Sequence, residues 1–252
     1  MKPVSRSEEE FVPTEVVPES PRHGYRGERA HSMVPPPVPA GLTIAISREA
    51  GARGSTIGNR AGQKLGWQVY NQELLEYIAH EGAFRQNIVN TLSPEATRWA
   101  DDQLQKLLRE QNLSQHPAIM DLARIILAFG AQGEVVIIGR GAGCILPSDS
   151  TLNVRIVAPL NDRIAYMSQW LRLTEKQASE EVRLRDSRRA EFIPTHFHRQ
   201  PGDIYQYDLL LNSSLLGEDL AAEMIAAAAR AKDTARRQAF QPASSSVPEE
   251  VE

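Results

Sequence analysis

Residues 42–58 read LTIAISREAGARGSTIG, and this order of apolar run, glycine loop and second apolar stretch decides the fold. The run at 42–47 is short and almost wholly apolar, which fits a strand buried on both faces. Gly51 and Gly54 then interrupt the chain, and residues 56–65 read as a helix. A strand that passes through a glycine loop into a helix lets backbone approach a phosphate. The glycines remove side-chain obstruction, and the first-turn amides supply donors and a partial positive charge. Ser55 and Thr56 offer hydroxyls for Mg²⁺. The loop is not a Walker A sequence, which needs G-x-x-x-x-G-K-[ST]. It holds no lysine, and Arg48 and Arg53 are its only cations. A purely structural strand-to-helix turn is the competing explanation.

The same alternation continues outward. Residues 67–70 suggest a short second strand and 72–80 a helix. Residues 93–113 are polar and helix-like, and Ile119, Leu122, Ile125, Ile126 and Phe129 keep helical spacing. Strands are expected at 134–138 (EVVII), 153–158 and 208–212 (DLLLN). Helices are expected at 160–171, from Thr174 onward, and over the alanine-rich stretch 216–231. Thr174 with Gln177 forms a capping-box pattern. No internal repeat is present. Strands alternating with helices imply a parallel sheet covered on both faces, with ligands at the carboxyl ends of its strands.

Two further segments carry candidate chemistry. GRGAG at 139–143 follows the EVVII strand, so Arg140 either binds an anion beside the first loop or is a solvated turn arginine. In the helix from Thr174, the residues Ala178, Val182, Arg185, Arg189 and Phe192 share one face, with Arg188 beside it. Arginines on a core-facing stripe need an anionic partner. The alternative is a solvated face paired to Glu181 and Asp186. His196 and His198 alternate nearby and read as surface histidines more readily than as a metal pair. The only cysteine, Cys144, excludes an intrachain disulfide and a cysteine-rich zinc site. It is expected as a small buried hydrophobe.

Composition narrows the partners. The 252 residues carry 28 basic and 32 acidic side chains, so a net charge of -4 gives no general attraction to nucleic acid or to a membrane surface. No apolar run reaches the ~18–20 residues that span a bilayer, and no secretory pattern opens the chain. Small-molecule partners and a cytoplasmic location are the expectation. Residues 1–40 hold Pro3, Pro13, Pro18, Pro21, the run Pro35-Pro36-Pro37 and Pro39, without apolar period. They are expected to be disordered, as are residues 233–252, because burial there cannot offset the ordering entropy. The proline run reads as a linker before it reads as a ligand for a polyproline-binding module. One domain, 41–232, lies between.

The ordered set of segments resembles the cytidylate kinase-like family. The matching pieces are TIAISREAGARGSTIGNRAGQKLGWQVYNQELLEYIA (43–79), VVIIGRGAGCIL (135–146), VRIVAPLNDRI (154–164), RLRDSRRAEF (183–192) and YDLLLNSSLLGED (207–219). The resemblance implies a P-loop NTPase-like, three-layer α/β/α fold with a mostly parallel sheet and a helical lid. It implies that Arg48, Gly51, Arg53, Gly54, Ser55 and Thr56 cradle the donor phosphates, with Thr56 next to Mg²⁺. Asn71, where relatives often carry aspartate, and Arg140 would hold the acceptor. Arg185, Arg188 and Arg189 would belong to a lid that clamps the phosphoryl group in flight. The implied activity moves the γ-phosphoryl group of ATP to a nucleoside monophosphate, CMP or dCMP first. The missing Walker lysine keeps a second possibility open, a catalytically silent nucleotide-binding module, and a third is a kinase for another small acceptor.

Overall fold

The computed structural model describes residues 38–110 and 112–240. The expected proline-rich extension up to residue 37 and the chain beyond 240 lie outside the described residues. The first strand, β1 (Thr43–Arg48), leads into α1 (Gly54–Leu65), then β2 (Gln68–Tyr70) and α2 (Gln72–His80). Three more helices follow: α3 (Gly82–Asn90), α4 (Pro94–Arg109) and α5 (Pro117–Gln132). Next come β3 (Val135–Ile138), a single turn α6 (Ala142–Ile145) and β4 (Thr151–Val157). The described residues end in α7 (Leu160–Leu171), α8 (Glu175–Phe197), β5 (Leu209–Asn212) and α9 (Ser213–Phe240). Local chemistry marks several of these starts. Ser93 caps α4, its Oγ accepting from Ala96 N at 3.1 Å, with Pro94 in the first turn. Thr174 and Gln177 form the expected capping box on α8.

The sheet has strand order β2-β3-β1-β4-β5, and every pairing is parallel. Helices cover both faces, giving three layers. On one face Ile44, Ile46, Val136, Ile138, Val154 and Ile156 pack against Ile57 and Ala61 of α1 and against Ala221, Ile225 and Ala229 of α9. The small residues of α9 let two helices share that face closely. On the other face Ala45, Val135 and Ile137 meet Leu75 of α2, Ile126 and Phe129 of α5, and Phe197 at the end of α8. A third cluster of Ala50, Ile164, Met167, Ala178 and Val182 ties α7 and α8 together over the loop after β1. The chain builds β2 and β3 on one side of β1 and then crosses to β4 on the other. That reversal leaves a crevice at the carboxyl end of β1.

Three local expectations are corrected. The last helix runs to Phe240 instead of stopping at 231, and it breaks once, at Gly217 (φ 72°, ψ 177°). Residues past 232 are held by contacts: Arg236 Nη1 donates to Pro39 O at 3.0 Å, and Arg237 Nε bonds Asp233 at 2.6 Å. α4 ends at Arg109, short of 113. α3 and α6 were not expected, because GAFRQNIVN lacks a clear apolar period and α6 is one turn inside a glycine loop.

Candidate functional site

A cleft of about 760 Å³ opens at the carboxyl ends of β1, β3 and β4, where the topology reverses. Its floor is the loop after β1 and the first turn of α1. The loop after β3 forms one wall, and α7 with α8 close the top. Every residue that the sequence singled out for phosphate, acceptor or lid lines it: Arg48, Gly51, Arg53, Gly54, Ser55 and Thr56, then Asn71 and Arg140, then Arg185, Arg188 and Arg189.

Arg48 lies deepest. It is the last residue of β1 and is 8% exposed. Its side chain threads between two glycines. A Cβ on Gly54 would come within 2.6 Å of Arg48 Cβ, and one on Gly139 within 2.0 Å of Arg48 Nη1. Only residues without side chains at both places leave that channel open. Burial, then repulsion from Arg189 and Arg140, pushes the Arg48 pKa down to about 10, against the pull of Glu73. Arg53 is placed differently. It sits in left-handed backbone (φ 57°) before α1, its guanidinium lies 5.1 Å from the Tyr166 ring, and it reaches Glu218 at 4.0 Å. Of the two cations around this loop, Arg48 is the buried one. The first-turn amides of α1 have no intrahelical acceptor; the first bond inside the helix runs from Ile57 N to Arg53 O at 3.0 Å.

Across the cleft, Arg140 also takes left-handed backbone (φ 51°). It pairs with Glu76, lies 5.1 Å from the Phe192 ring, and its buried Nε has no hydrogen-bond partner. Burial lowers its pKa while Glu73 opposes the shift. Arg189 carries a second orphan: its Nη1 is buried without a hydrogen bond, 3.6 Å from Asp186. Burial lowers its pKa as well, opposed by Asp186 and assisted by Arg185, Arg155 and Arg140. Arg185 Nε donates to Glu181 at 2.6 Å, and Arg188 is exposed at the rim. Asn71 spends its Oδ1 capping α2, accepting from Leu74 N at 2.9 Å.

Sequence reasoning missed the fastening of this site. Arg163 on α7 is 8% exposed and donates from Nη1 to Asp186 Oδ2 at 2.5 Å and to Ala50 O at 3.1 Å, and from Nε to Ala158 O at 3.0 Å. Asp186 Oδ1 in turn accepts from Ala50 N at 2.8 Å, and Glu49 Oε2 accepts from Ala158 N at 3.1 Å. Asp186 therefore couples α8 to the loop after β1, and the helix-face pairs that the sequence offers, Arg185 with Glu181 and Arg189 with Asp186, form beside it. The polar residues Asn153 and Arg155, alternating with Leu152, Val154 and Ile156 in β4, were the available signal for a ligand-facing wall. His196 is not a plain surface residue: its Nδ1 is buried without a partner, and its ring meets the Phe192 ring at 4.8 Å. Among the described residues no group of three or more His, Cys, Asp or Glu is placed to hold a metal ion, and no helix is long and apolar enough to cross a membrane.

Among solved structures, an uncharacterized protein from Eubacterium ventriosum ATCC 27560 superposes with a TM-score of 0.53 at 19% identity, covering 75% of this chain and 98% of that one. This likeness is one of fold. Shikimate kinase from Bacteroides thetaiotaomicron aligns at a TM-score of 0.40 and 12% identity, over 74% of this chain and 95% of that chain. A curated protein, uronate isomerase from Corynebacterium glutamicum, is 29% identical over 102 residues, which are 40% of this chain. Those residues span only 20% of that relative, so its name describes a protein mostly outside the match. The description of the cytidylate kinase-like family fits residues 43–215, from β1 into the start of α9. That is well over half of the sequence and includes both cleft loops and the α7–α8 cover, so this chain belongs to the cytidylate kinase-like family.

Proposed function

We propose that the chain is an ATP-dependent phosphotransferase that moves the γ-phosphoryl group to a nucleoside monophosphate, with CMP or dCMP the leading acceptor. One observation carries this: Arg48, Arg140 and Arg189 converge on one cleft, and although Glu76 and Asp186 pair with the last two, the buried Nε of Arg140 and Nη1 of Arg189 make no hydrogen bond among the described residues. A buried donor left without a hydrogen bond is costly even where an ion pair offsets its charge. Phosphoryl oxygens are acceptors of the right charge, and arginine engages them with paired N–H groups. Phosphoryl transfer asks mainly for alignment and charge neutralisation, which such a cleft supplies.

The roles follow from position. The first-turn amides of α1, with Gly51, Gly54 and Ser55, receive the donor phosphates, and Arg48 beneath them replaces the absent lysine. Arg53 screens the donor from its edge. Arg140 and Asn71 face the acceptor. Arg185, Arg188 and Arg189 on α8 gather the group in flight, and the α7–α8 hairpin keeps water from taking it. Mg²⁺ fits only as an ion that arrives with phosphate oxygens. Thr56 offers it one hydroxyl, and no acidic metal cluster exists among the described residues. Bound in that way it would offset phosphate charge. An enzyme of this kind would work in the cytoplasm.

The missing lysine supports a second reading, a nucleotide-binding module without turnover. Label transfer separates the two. Incubation with ATP labelled at the γ position and CMP or dCMP is expected to yield labelled nucleoside diphosphate. ATP binding with no labelled diphosphate from any monophosphate would overturn the enzyme in favour of the module.

A further inference from the structure

A central strand in a parallel sheet covered on both faces is expected to be apolar on both. β4 lies between β1 and β5 and departs from this on one side only. Leu152, Val154 and Ile156 pack in the apolar layer beneath α1 and α9. The alternate residues are Thr151, Asn153 and Arg155, and alternation along a strand puts them on the opposite face. Asn153 and Arg155 line the cleft.

Asn153 is 7% exposed, and its Oδ1 is buried with no hydrogen-bond partner. The strand does not need that side chain for its placement: Asn153 N donates to Asp208 Oδ2 at 2.7 Å, and Asp208 N donates to Asn153 O at 2.8 Å. The neighbouring loop makes room for it, since a Cβ on Gly143 would come within 2.4 Å of Asn153 Oδ1. Arg155, two residues on, gives Nη1 to Ser47 Oγ at 2.6 Å and lies 5.9 Å from the Tyr207 ring. A guanidinium has further N–H donors beyond the one used there. Arg155 is close enough to Arg189 to disfavour its charge. For the fold alone, an apolar residue at 153 would avoid an unsatisfied amide oxygen. An occupant with a hydrogen-bond donor beside an anionic group resolves both features at once.

We propose that the Asn153–Arg155 face of β4 is the acceptor subsite. Arg155, with Arg189 opposite, binds the phosphate of a nucleoside monophosphate, and Asn153 Oδ1 accepts from a hydroxyl or amino group of the same molecule. This rests on the kinase reading above and adds to it the wall that selects the acceptor.

The test is calorimetric binding of CMP, dCMP, UMP, AMP, GMP and, separately, ATP to the full chain and to Asn153→Leu and Arg155→Met, with a melting curve for each. Asn153→Leu keeps the branched shape and the number of heavy atoms and removes the orphan oxygen. The expected result is that the best monophosphate binds about tenfold or more weakly to each variant, the loss of one good hydrogen bond to a charged or buried partner. ATP affinity is expected to change by less than about twofold, well under the energy of one such bond. Asn153→Leu is expected to melt at or above the wild-type temperature. Unchanged monophosphate affinity together with a lowered melting temperature would mean that Asn153 only packs, which overturns the subsite and leaves the kinase reading standing. Equal weakening of ATP and monophosphate would also overturn the acceptor assignment, as would wild-type protein that binds ATP and no monophosphate. Wild-type protein that binds neither would overturn both.

Discussion

Replacing Arg48 by methionine separates stability from binding. Arg48 is 8% exposed and its pKa is pushed down to about 10, first by burial and then by Arg189. Each pKa unit is worth about 1.4 kcal/mol, so the charged side chain costs the fold on the order of 3 kcal/mol. A base whose folded pKa is depressed loses its proton first in the folded state. The cost is therefore constant near neutral pH and fades only as pH rises through about 10. Methionine keeps much of the stem that lies along Gly54 and leaves a small void beside Gly139, costing about 1 kcal/mol. Arg48→Met is then expected to raise the unfolding free energy by about 1–2 kcal/mol at neutral pH. Binding should move the other way. ATP at a hundredfold excess over its Kd adds about 2.7 kcal/mol to the wild type, which is several degrees in Tm for a domain of this size. Loss of a charge-assisted contact of about 1.5–3 kcal/mol removes most of that shift in the variant. Denaturant melts and thermal scans with and without ATP and Mg²⁺ read both effects. A variant that is less stable than wild type and keeps the full ATP shift would refute the reasoning.

Four other expectations follow from the same geometry. Arg188→Ala should leave the denaturation midpoint unchanged, because the side chain is exposed, and should lower turnover by roughly 10³–10⁵, as for arginine fingers. Asp186→Asn should destabilise the fold by about 1–3 kcal/mol and weaken ATP binding, since Ala50 N and Arg163 both depend on that carboxylate; denaturant unfolding and calorimetry check it. Stability should be fully present above about pH 6.5 and fall as pH drops through the lowered pKa of His196, which burial first and His116 second hold below the ordinary histidine value; acid titration of wild type against His196→Phe isolates that share. Raising salt from low to physiological concentration should weaken ATP binding, most at the exposed Arg188 and least at buried Arg48, as read from the salt dependence of each variant's Kd.

Much of the fold was legible because the decisive segments obey short-range rules. LTIAIS and EVVII are of strand length, rich in β-branched residues and followed by glycines, which favours buried strands, and their alternation with helices points to a parallel sheet. That these arginines share one cleft was also legible. Arg185 and Arg189 stood on a stripe with Ala178 and Val182, and the structure does bury that stripe, Ala178 and Val182 against α7 and Arg189 partly over the cleft. What could not be read was which partner each charge takes. Asp186 is four residues from Val182 and three from Arg189, so sequence offers it a local pair. That pair forms with Arg189 at 3.6 Å, but the carboxylate's hydrogen bonds go to Ala50 and Arg163, over a hundred positions and twenty-three positions away. Arg48 and Arg53 are equivalent in composition. They are separated by backbone, because Arg53 turns through left-handed φ before α1 and points to Tyr166, while Arg48 continues β1 into the crevice. The run past 232 reads as polar tail because its hold on the domain is made by Arg236 on a distant carbonyl, a contact with no periodic signal.

The central claim is phosphoryl transfer, and steady-state ADP release tests it most directly. Purified protein with ATP and Mg²⁺ is assayed against CMP, dCMP, UMP, AMP and GMP, beside Arg188→Ala. Acceptor-dependent ADP release, greatest with CMP or dCMP and lost in the variant, is the predicted result. No acceptor-dependent release from protein that binds ATP would contradict the account and leave a nucleotide-binding module in its place.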